Sequence, residues 1–390
     1  MNKCGGTVIR FIRVLTLIGS VFSAGGQEVL IPDPGLNAAI REALQKPSGP
    51  LTETDLLSLI SLDAGSREIT SVTGLAAARN LERLFLDSNH LTDFSLSDAL
   101  TNLIELHLGE NPLTNCSLPD GLANLETLDI QFCSLTQFTL PAGLTGLTEL
   151  DLGVNGLTSF AVPADATNLT VLSLFSNQLT NLTLLPGLTR LSSIDLDENK
   201  LTHLTLPSDL ANLGELILRG NQLSDFNLPA GLGKLSFLAL DDNRLTRFTF
   251  PAGLTNLSSV GLTGNQLTTV TLPPDITKLA GLFLNGNPLT TLVLSEPLAT
   301  TNLAGTVATL QSQGVSVFTY PLAVQLRAPR AAAGAFEFAL TGPPGVYHVL
   351  GSPDLVTWSE LGTATNLLGS VVFTDATASL SMQKLHRARV

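Results

Sequence analysis

The chain has 390 residues, of which 33 are acidic and 20 are basic, so its net charge is −13. Hydrophobic residues make up 44% of the chain and charged residues only 14%, where an ordinary soluble domain carries about a quarter. This composition excludes intrinsic disorder of the whole chain, and the shortage of clustered Lys and Arg argues against a nucleic-acid partner.

Residues 1–25 are predicted to be a signal peptide. Lys3, Arg10 and Arg13 precede an apolar run of about 11 residues from Val14 to Ala24, which is too short for a membrane span of roughly 20 residues. No later segment is apolar enough to qualify, so we expect no transmembrane segment in the mature chain. The predicted location is secreted, periplasmic or at the cell surface.

Residues 26–58 are predicted to form a helical N-terminal cap. Asp33 can act as the N-cap of a first helix that has Pro34 at its first position. A second helix is expected to begin after Thr52. Together the two helices would cover the open apolar end of the segment that follows.

A 22-residue repeat fills residues 59–300. The pattern L-x-x-L-x-L-x-x-N-x-L-T-x-F-x-L-P recurs ten times from Leu81, after a weaker turn at Leu59, which predicts eleven stacked turns. The inward leucines of L-x-x-L-x-L alternate with period two, so each turn should contribute one short strand to a parallel sheet. The F-x-L segment alternates as well and predicts a second strand on the outer side.

Position nine of the repeat, counted from its first leucine, is asparagine in nine of the ten clear turns and Cys133 in the other. A buried amide at a bend can pair with backbone groups of adjacent turns, so we interpret these residues as scaffold and not as ligands. They are Asn89, Asn111, Asn155, Asn177, Asn199, Asn221, Asn243, Asn265 and Asn287.

The stretch from Leu103 to Leu113, LIELHLGENPL, resembles the leucine-rich repeat signature, and the resemblance covers about 60% of the chain. The predicted cap is similar to the N-terminal caps of bacterial secreted leucine-rich repeat proteins such as the internalins. The resemblance implies a β-rich solenoid with a parallel concave sheet and short outer strands.

The repeats give way to two further segments. Residues 301–319 should form a C-terminal cap, with a helix over 304–313, and residues 320–390 a small antiparallel β-sandwich. The last segment resembles a β module that recurs in secreted proteins of environmental Gram-negative bacteria, and its Trp358 is expected in the core. Its predicted strands lie at 336–340, 346–350, 356–361 and 371–373.

Few residues are available for catalysis. The five histidines are scattered, no phosphate loop is present, and carboxylate pairs such as Asp195 with Asp197 often meet a glycosidase spacing by accident. We therefore predict that the protein is not an enzyme and has no cofactor and no metal site. A polysaccharide-active β-solenoid enzyme remains an alternative.

Two cysteines remain once the signal peptide has been removed, Cys116 at position fourteen and Cys133 at position nine of the next turn. An exported protein can form disulfides. These two positions are expected to hold their Cα atoms more than about 7 Å apart, so we predict that the two cysteines are not bonded.

The favoured function is recognition of a protein, peptide or glycan on the concave sheet. Positions three, five, seven and eight point away from the core and vary between turns. Carboxylates beside an exposed ring are expected at the centre of the site, with exposed phenylalanines on either side. The other alternative is a structural or adhesive surface protein with the solenoid as a stalk. The predicted ligand-binding residues are Glu149, Asp151, Phe175, Asp195, Asp197, Glu215, Phe85, Phe237 and Phe283.

Overall fold

The computed structural model of the protein describes residues 26–332, 335–377 and 384–389. The predicted signal peptide lies outside these residues. Within them, no helix is long and apolar enough to cross a membrane.

Two short helices precede the repeats. Helix α1 spans Pro34–Ala43 with Asp33 as its N-cap, and α2 spans Glu53–Leu56 with Thr52 as its N-cap. Leu36 and Ile40 of α1 and Leu56 of α2 are completely buried in the same core as the leucines of the repeats. The helices therefore close the N-terminal end of that core, as the sequence predicted.

Eleven turns each contribute one three-residue strand to a parallel sheet, which confirms the predicted solenoid. Each residue pairs with the residue 22 positions later, as Ser61 does with Arg83. The middle residue of every strand is buried and its two neighbours are more exposed in most turns. The strands, in order across the sheet, are β1 (Ser61–Asp63), β2 (Arg83–Phe85), β4 (Glu105–His107), β6 (Thr127–Asp129), β7 (Glu149–Asp151), β8 (Val171–Ser173), β10 (Ser193–Asp195), β12 (Glu215–Ile217), β13 (Phe237–Ala239), β14 (Ser259–Gly261) and β16 (Gly281–Phe283).

The chain bends sharply after each of these strands, at position eight of the repeat. In the ten clear turns this residue has a left-handed backbone, with φ between 50° and 71°, whether it is glycine, as at Gly220, or a larger residue, as at Phe132 and Val154. The left-handed region is unfavourable for a β-branched residue such as valine. The stacking of turns thus imposes the same backbone conformation at position eight, even on residues that disfavour it.

The outer strands form in six of the ten clear turns. They are β3 (Asp93–Ser95) with β5 (Asn115–Ser117), β9 (Asn181–Thr183) with β11 (His203–Thr205), and β15 (Thr269–Thr271) with β17 (Thr291–Ser295). In the part of the chain that the structure describes, the four turns without an outer strand all have phenylalanine at position fourteen: Phe138, Phe160, Phe226 and Phe248.

The asparagine ladder is confirmed. The Nδ2 of Asn199 donates to the carbonyl oxygens of Leu174, Leu196 and Asp197, and its Oδ1 accepts from the Leu179 amide. Where Cys133 interrupts the ladder, its Sγ reaches only two carbonyl oxygens, at 3.5 and 3.6 Å. The amide thus ties each turn to the one before it.

The solenoid ends in helices α3 (Glu296–Thr300) and α4 (Ala304–Ser312) and strand β18 (Ser316–Tyr320). Helix α4 lies where a helix was predicted, whereas α3 was not expected. Strand β18 pairs in parallel with β17, so the outer sheet continues past the last repeat. The Tyr320 hydroxyl donates to the Leu272 carbonyl at 2.6 Å and fastens this end to the repeats.

Two three-stranded antiparallel sheets follow, as predicted for a small sandwich. One has the order β19 (Gln325–Ala332), β20 (Ala335–Thr341), β23 (Ser370–Asp375), and the other β22 (Ser359–Asn366), β21 (Gly345–Ser352), β24 (Leu385–Arg389). Both sheets contribute to one core that contains Phe338, Tyr347 and Val349. Strands β19 and β24 were not predicted.

The expectation that Trp358 belongs to this core is wrong. Trp358 lies just before β22 and is half-buried, with the Arg387 guanidinium 4.1 Å from the centre of its ring. Its indole N–H donates to the Leu355 carbonyl. A charged group from β24 covers the ring, where the prediction expected apolar neighbours.

Candidate functional site

The outward side chains of the eleven-stranded sheet form one continuous surface, which we call the sheet face. It consists of positions three and five of each repeat, which are the two ends of its strand, and of position seven, which follows the strand. Because neighbouring strands are in exact 22-residue register, equal positions of successive turns lie side by side. Residues distant in sequence therefore meet on this surface.

All five predicted carboxylates lie near the middle of the sheet face, on strands β7, β10 and β12 or, for Asp197, just after β10. Glu149 and Glu215 are exposed, whereas Asp151, Asp195 and Asp197 are half-buried. We call these five residues the acidic centre.

Each aspartate of the acidic centre is held by the backbone. The Oδ1 of Asp151 accepts from the Gly153 amide at 2.8 Å and from the Ser173 hydroxyl at 2.9 Å. The Oδ1 of Asp195 accepts from the Asp197 amide at 3.0 Å. These bonds fix the carboxylates as hydrogen-bond acceptors at the surface.

Asp197 is the one member of the acidic centre with an ion pair among the described residues. Its two oxygens accept from the backbone amide and the guanidinium of Arg219, at 2.6 and 2.9 Å. Arg219 occupies position seven of the next turn. The acidic centre therefore includes one compensated carboxylate, which the prediction did not pair.

Burial raises the pKa of Asp151, Asp195 and Asp197 above the ordinary value of an aspartate. Neighbouring negative charges act in the same direction: the Asp195 carboxylate raises the pKa of Asp197, and Glu215 raises that of Asp195. Partly desolvated negative charges are thus crowded together here with little positive charge to balance them.

The predicted aromatic residues are less exposed than expected. Phe283 is 53% exposed, but Phe85, Phe175 and Phe237 are half-buried, which corrects the expectation that they stand free on the surface. The Phe175 ring lies across Gly153, where an added Cβ would come within 2.1 Å of it. The ring is therefore set into the surface beside the acidic centre.

Phe132 is an exposed ring that the predicted site omitted. It is 49% exposed and makes an edge-to-face contact with Phe175 at a centroid distance of 6.4 Å. Its position eight was expected to point outward, and an apolar residue there is the signal that could have identified it. Together Phe132 and Phe175 form an aromatic pair next to Asp151.

Two members of the predicted set lie away from this centre. The Phe85 ring packs against His107 near the N-terminal end of the sheet, with ring centres 4.9 Å apart, and Phe283 lies on β16, the last strand. Phe237 lies beside the acidic centre, on β13 next to Glu215 on β12. The structure thus gathers the carboxylates, Phe175 and Phe237, while Phe85 and Phe283 lie toward the two ends of the face.

A known family matches this architecture. The description of that family is BspA type leucine-rich repeat region, and six copies of its repeat match over residues 81–195 and 196–302. The chain belongs to this leucine-rich repeat family. No curated protein matches the chain significantly in sequence.

Solved structures share the solenoid. The functional domain of InlJ from Listeria monocytogenes is 19% identical, with a TM-score of 0.54 over 82% of this chain and 96% of that one. Internalin C2 from the same organism is 28% identical over 63% of this chain and 99% of that one, with a TM-score of 0.45. The likeness to the InlJ domain supports the fold.

A plant structure is also similar. It is the leucine-rich repeat ectodomain of the Arabidopsis thaliana receptor kinase GASSHO1/SCHENGEN3, in complex with CASPARIAN STRIP INTEGRITY FACTOR 2. It is 23% identical, with a TM-score of 0.49 over 69% of this chain and 36% of that one.

Proposed function

We propose that this protein is an exported, non-catalytic recognition scaffold that binds a basic protein or peptide segment on the sheet face, centred on Glu149, Asp151, Asp195, Asp197 and Glu215. The observation that carries the proposal is the crowding of half-buried carboxylates with a single basic partner, Arg219, among the described residues. A partner that supplies Lys or Arg side chains would compensate these charges.

The neighbouring aromatic pair supports the same surface. Exposed or shallowly set rings beside charged groups are common at the centres of protein interfaces. Phe132 and Phe175 would contact the apolar part of the partner, while the acidic centre would attract its charge. Charge is expected to set mainly the association rate, and the rings mainly the dissociation rate.

Membership of the leucine-rich repeat family supports a binding function and not a catalytic one. The surroundings of Asp195 and Asp197 support the same conclusion. Asp197 is paired with Arg219, and Asp195 accepts a backbone amide. The proposal includes export by the signal peptide. It also includes domain boundaries after residues 58, 300 and 319 and a separate role for the C-terminal sandwich.

The proposal can be tested with the full mature chain on arrays of peptides and of glycans. We expect capture of basic peptides, with association that slows as salt is added. The double variant Asp195→Lys with Asp197→Lys should abolish this capture.

The matched control is a charged pair on the opposite side of the solenoid. Asp225 and Arg247 form an exposed ion pair at 3.7 Å, and changing them to Asn and Gln should leave capture unchanged. Capture that survives the reversal on the sheet face but is lost in this control would disprove the proposed site. If the chain captures glycans and no basic peptides, the proposed basic partner is wrong and a polar partner takes its place. If the C-terminal sheets alone bind cells, the stalk alternative is favoured.

A further inference from the structure

Three side chains able to bind a metal ion meet near the N-terminal end of the sheet face. His107 lies on β4, Asp129 lies directly beside it on β6, and Asp87 follows β2. One ligand atom from each of the three lies within 4.8 Å of the other two. They are 20 and 22 residues apart in sequence, so only the stacking of turns brings them together.

Neighbouring groups hold all three side chains in place. The Oδ1 of Asp87 accepts from the Gly109 amide at 3.0 Å, and Asp129 accepts from both the amide and the side chain of Gln131. The imidazole of His107 packs against the Phe85 ring. Such supporting contacts are what orient ligands in metal sites.

The distances leave room for an ion between the side chains. The Nδ1 of His107 lies 3.7 Å from Oδ2 of Asp129, too far for a direct hydrogen bond. Because no two of the three ligand atoms are more than 4.8 Å apart, one point lies within about 2.8 Å of all three, compared with about 2.0–2.2 Å for zinc bound to imidazole or carboxylate. Small side-chain rotations that move each ligand atom by under about 1 Å would bring all three to the zinc–ligand distance.

Space for the remaining ligands is present beside the cluster. A cavity of about 160 Å³ is lined by His107, Asp129, Glu149 and Asp151, among others. An ion held by three protein ligands here would keep open positions toward this cavity, for water or for a donor group of a bound molecule.

We propose that Asp87, His107 and Asp129 form a binding site for a divalent transition-metal ion, with Zn²⁺ as the reference case, in place of the expectation from the sequence that the protein has no metal site. One imidazole nitrogen and two carboxylate oxygens suit such ions, whereas Ca²⁺ and Mg²⁺ prefer oxygen ligands alone. The three proposed ligands are distinct from the residues of the acidic centre, although Glu149 and Asp151 of that centre line the adjoining cavity. Uptake of Zn²⁺ is measured without a peptide, so failure of this proposal and failure of the proposed function can be told apart.

The test is titration of the full mature chain, free of any affinity tag, with Zn²⁺ alone by isothermal calorimetry. We expect one ion per chain, a higher melting temperature in its presence and reversal by a chelator. Asp87→Asn, His107→Gln and Asp129→Asn should each weaken binding at least tenfold, with the melting temperature of the metal-free protein recorded for every variant.

Two control variants separate this site from adventitious binding. Asp241 occupies the same repeat position as Asp87 and likewise accepts a backbone amide, from Thr263 at 2.9 Å, but has Gly261 where Asp87 has His107. Asp241→Asn and the exposed His203→Gln should leave the affinity unchanged. The proposal is overturned if the chain takes up no stoichiometric Zn²⁺, if the three ligand variants bind as tightly as the wild type, or if Ca²⁺ binds more tightly than Zn²⁺.

Discussion

Asn199 shows how a single residue supports the solenoid, because its amide makes four hydrogen bonds, two within its own turn and two to the preceding turn. Asn199→Ala would leave the Leu179 amide without its acceptor, and one buried unsatisfied group costs about 1–3 kcal/mol. The three carbonyl oxygens would lose one donor each but keep another. We expect a loss of at least that size in urea unfolding followed by circular dichroism.

The matched control for Asn199 is Asn124→Ala. Asn124 is exposed and makes one weak bond, to the Thr101 carbonyl at 3.4 Å, so its loss should cost under about 0.5 kcal/mol. Equal effects of the two substitutions would contradict a supporting role for position nine.

The two cysteines carry free thiols. Burial raises the pKa of Cys116 to about 12 and also raises that of Cys133. Since the thiolate is the reactive form, both should be alkylated slowly in the folded protein and rapidly in urea. Intact mass should be the same with and without reductant, and a difference of about two daltons would reveal a disulfide.

At the scale of an element, Asp33 joins helix α1 to the first repeat. Its Oδ1 accepts from the Leu36 amide, and its Oδ2 accepts from the amides of Thr70 and Ser71 and the hydroxyl of Thr70. Burial opposes ionisation, but these hydrogen bonds outweigh it and hold the pKa of Asp33 below its ordinary value. The ionised carboxylate therefore stabilises the cap.

This shift predicts how stability depends on pH. A folded pKa below the unfolded value, about 3.9, contributes stability that is complete above that value and is lost as pH falls through the folded pKa. Asp33→Asn keeps an N-cap but removes the charge, so its melting temperature at pH 7 should be lower than that of the wild type. The difference between the two proteins should shrink as the pH falls below about 4. The exposed Asp98→Asn is the control, and an Asp33→Asn deficit that is constant with pH would refute the charge effect.

At the scale of the whole molecule, Tyr320 connects the end of the outer sheet to the repeats. The residue is completely buried, and its hydroxyl donates to the Leu272 carbonyl. Tyr320→Phe should cost about 1–3 kcal/mol because that buried carbonyl would lose its partner. The loss should be visible in unfolding followed by far-ultraviolet circular dichroism, which is dominated by the repeats.

Tyr347→Phe is the matched control, because the Tyr347 hydroxyl donates to Pro343 within the C-terminal sheets. It should affect mainly the transition reported by the fluorescence of Trp358, which lies just before β22 and packs against Arg387 of β24. If Tyr320→Phe leaves the circular dichroism transition unchanged, Tyr320 does not stabilise the repeats.

The sequence alone determined the repeated parts of this protein. A strict spacing of leucines places one strand in each turn, and identical turns can bury those leucines only by stacking, so the parallel sheet and the asparagine ladder follow from the repeat. The capping helices were predictable for a similar reason, because Asp33 and Thr52 carry local N-cap signals that need no distant partner.

The tertiary structure decided what depends on contacts between turns. Three contacts on the sheet face join residues that are 20 or more positions apart in sequence. They are the ion pair of Arg219 with Asp197, the contact of Phe132 with Phe175 and the cluster at His107. The repeat fixes which positions face outward, but the direction of each side chain depends on the neighbouring turn's residue, such as Gly153 beneath the Phe175 ring. Exposure and pairing on the sheet face are therefore properties of adjacent turns together, which no single repeat encodes.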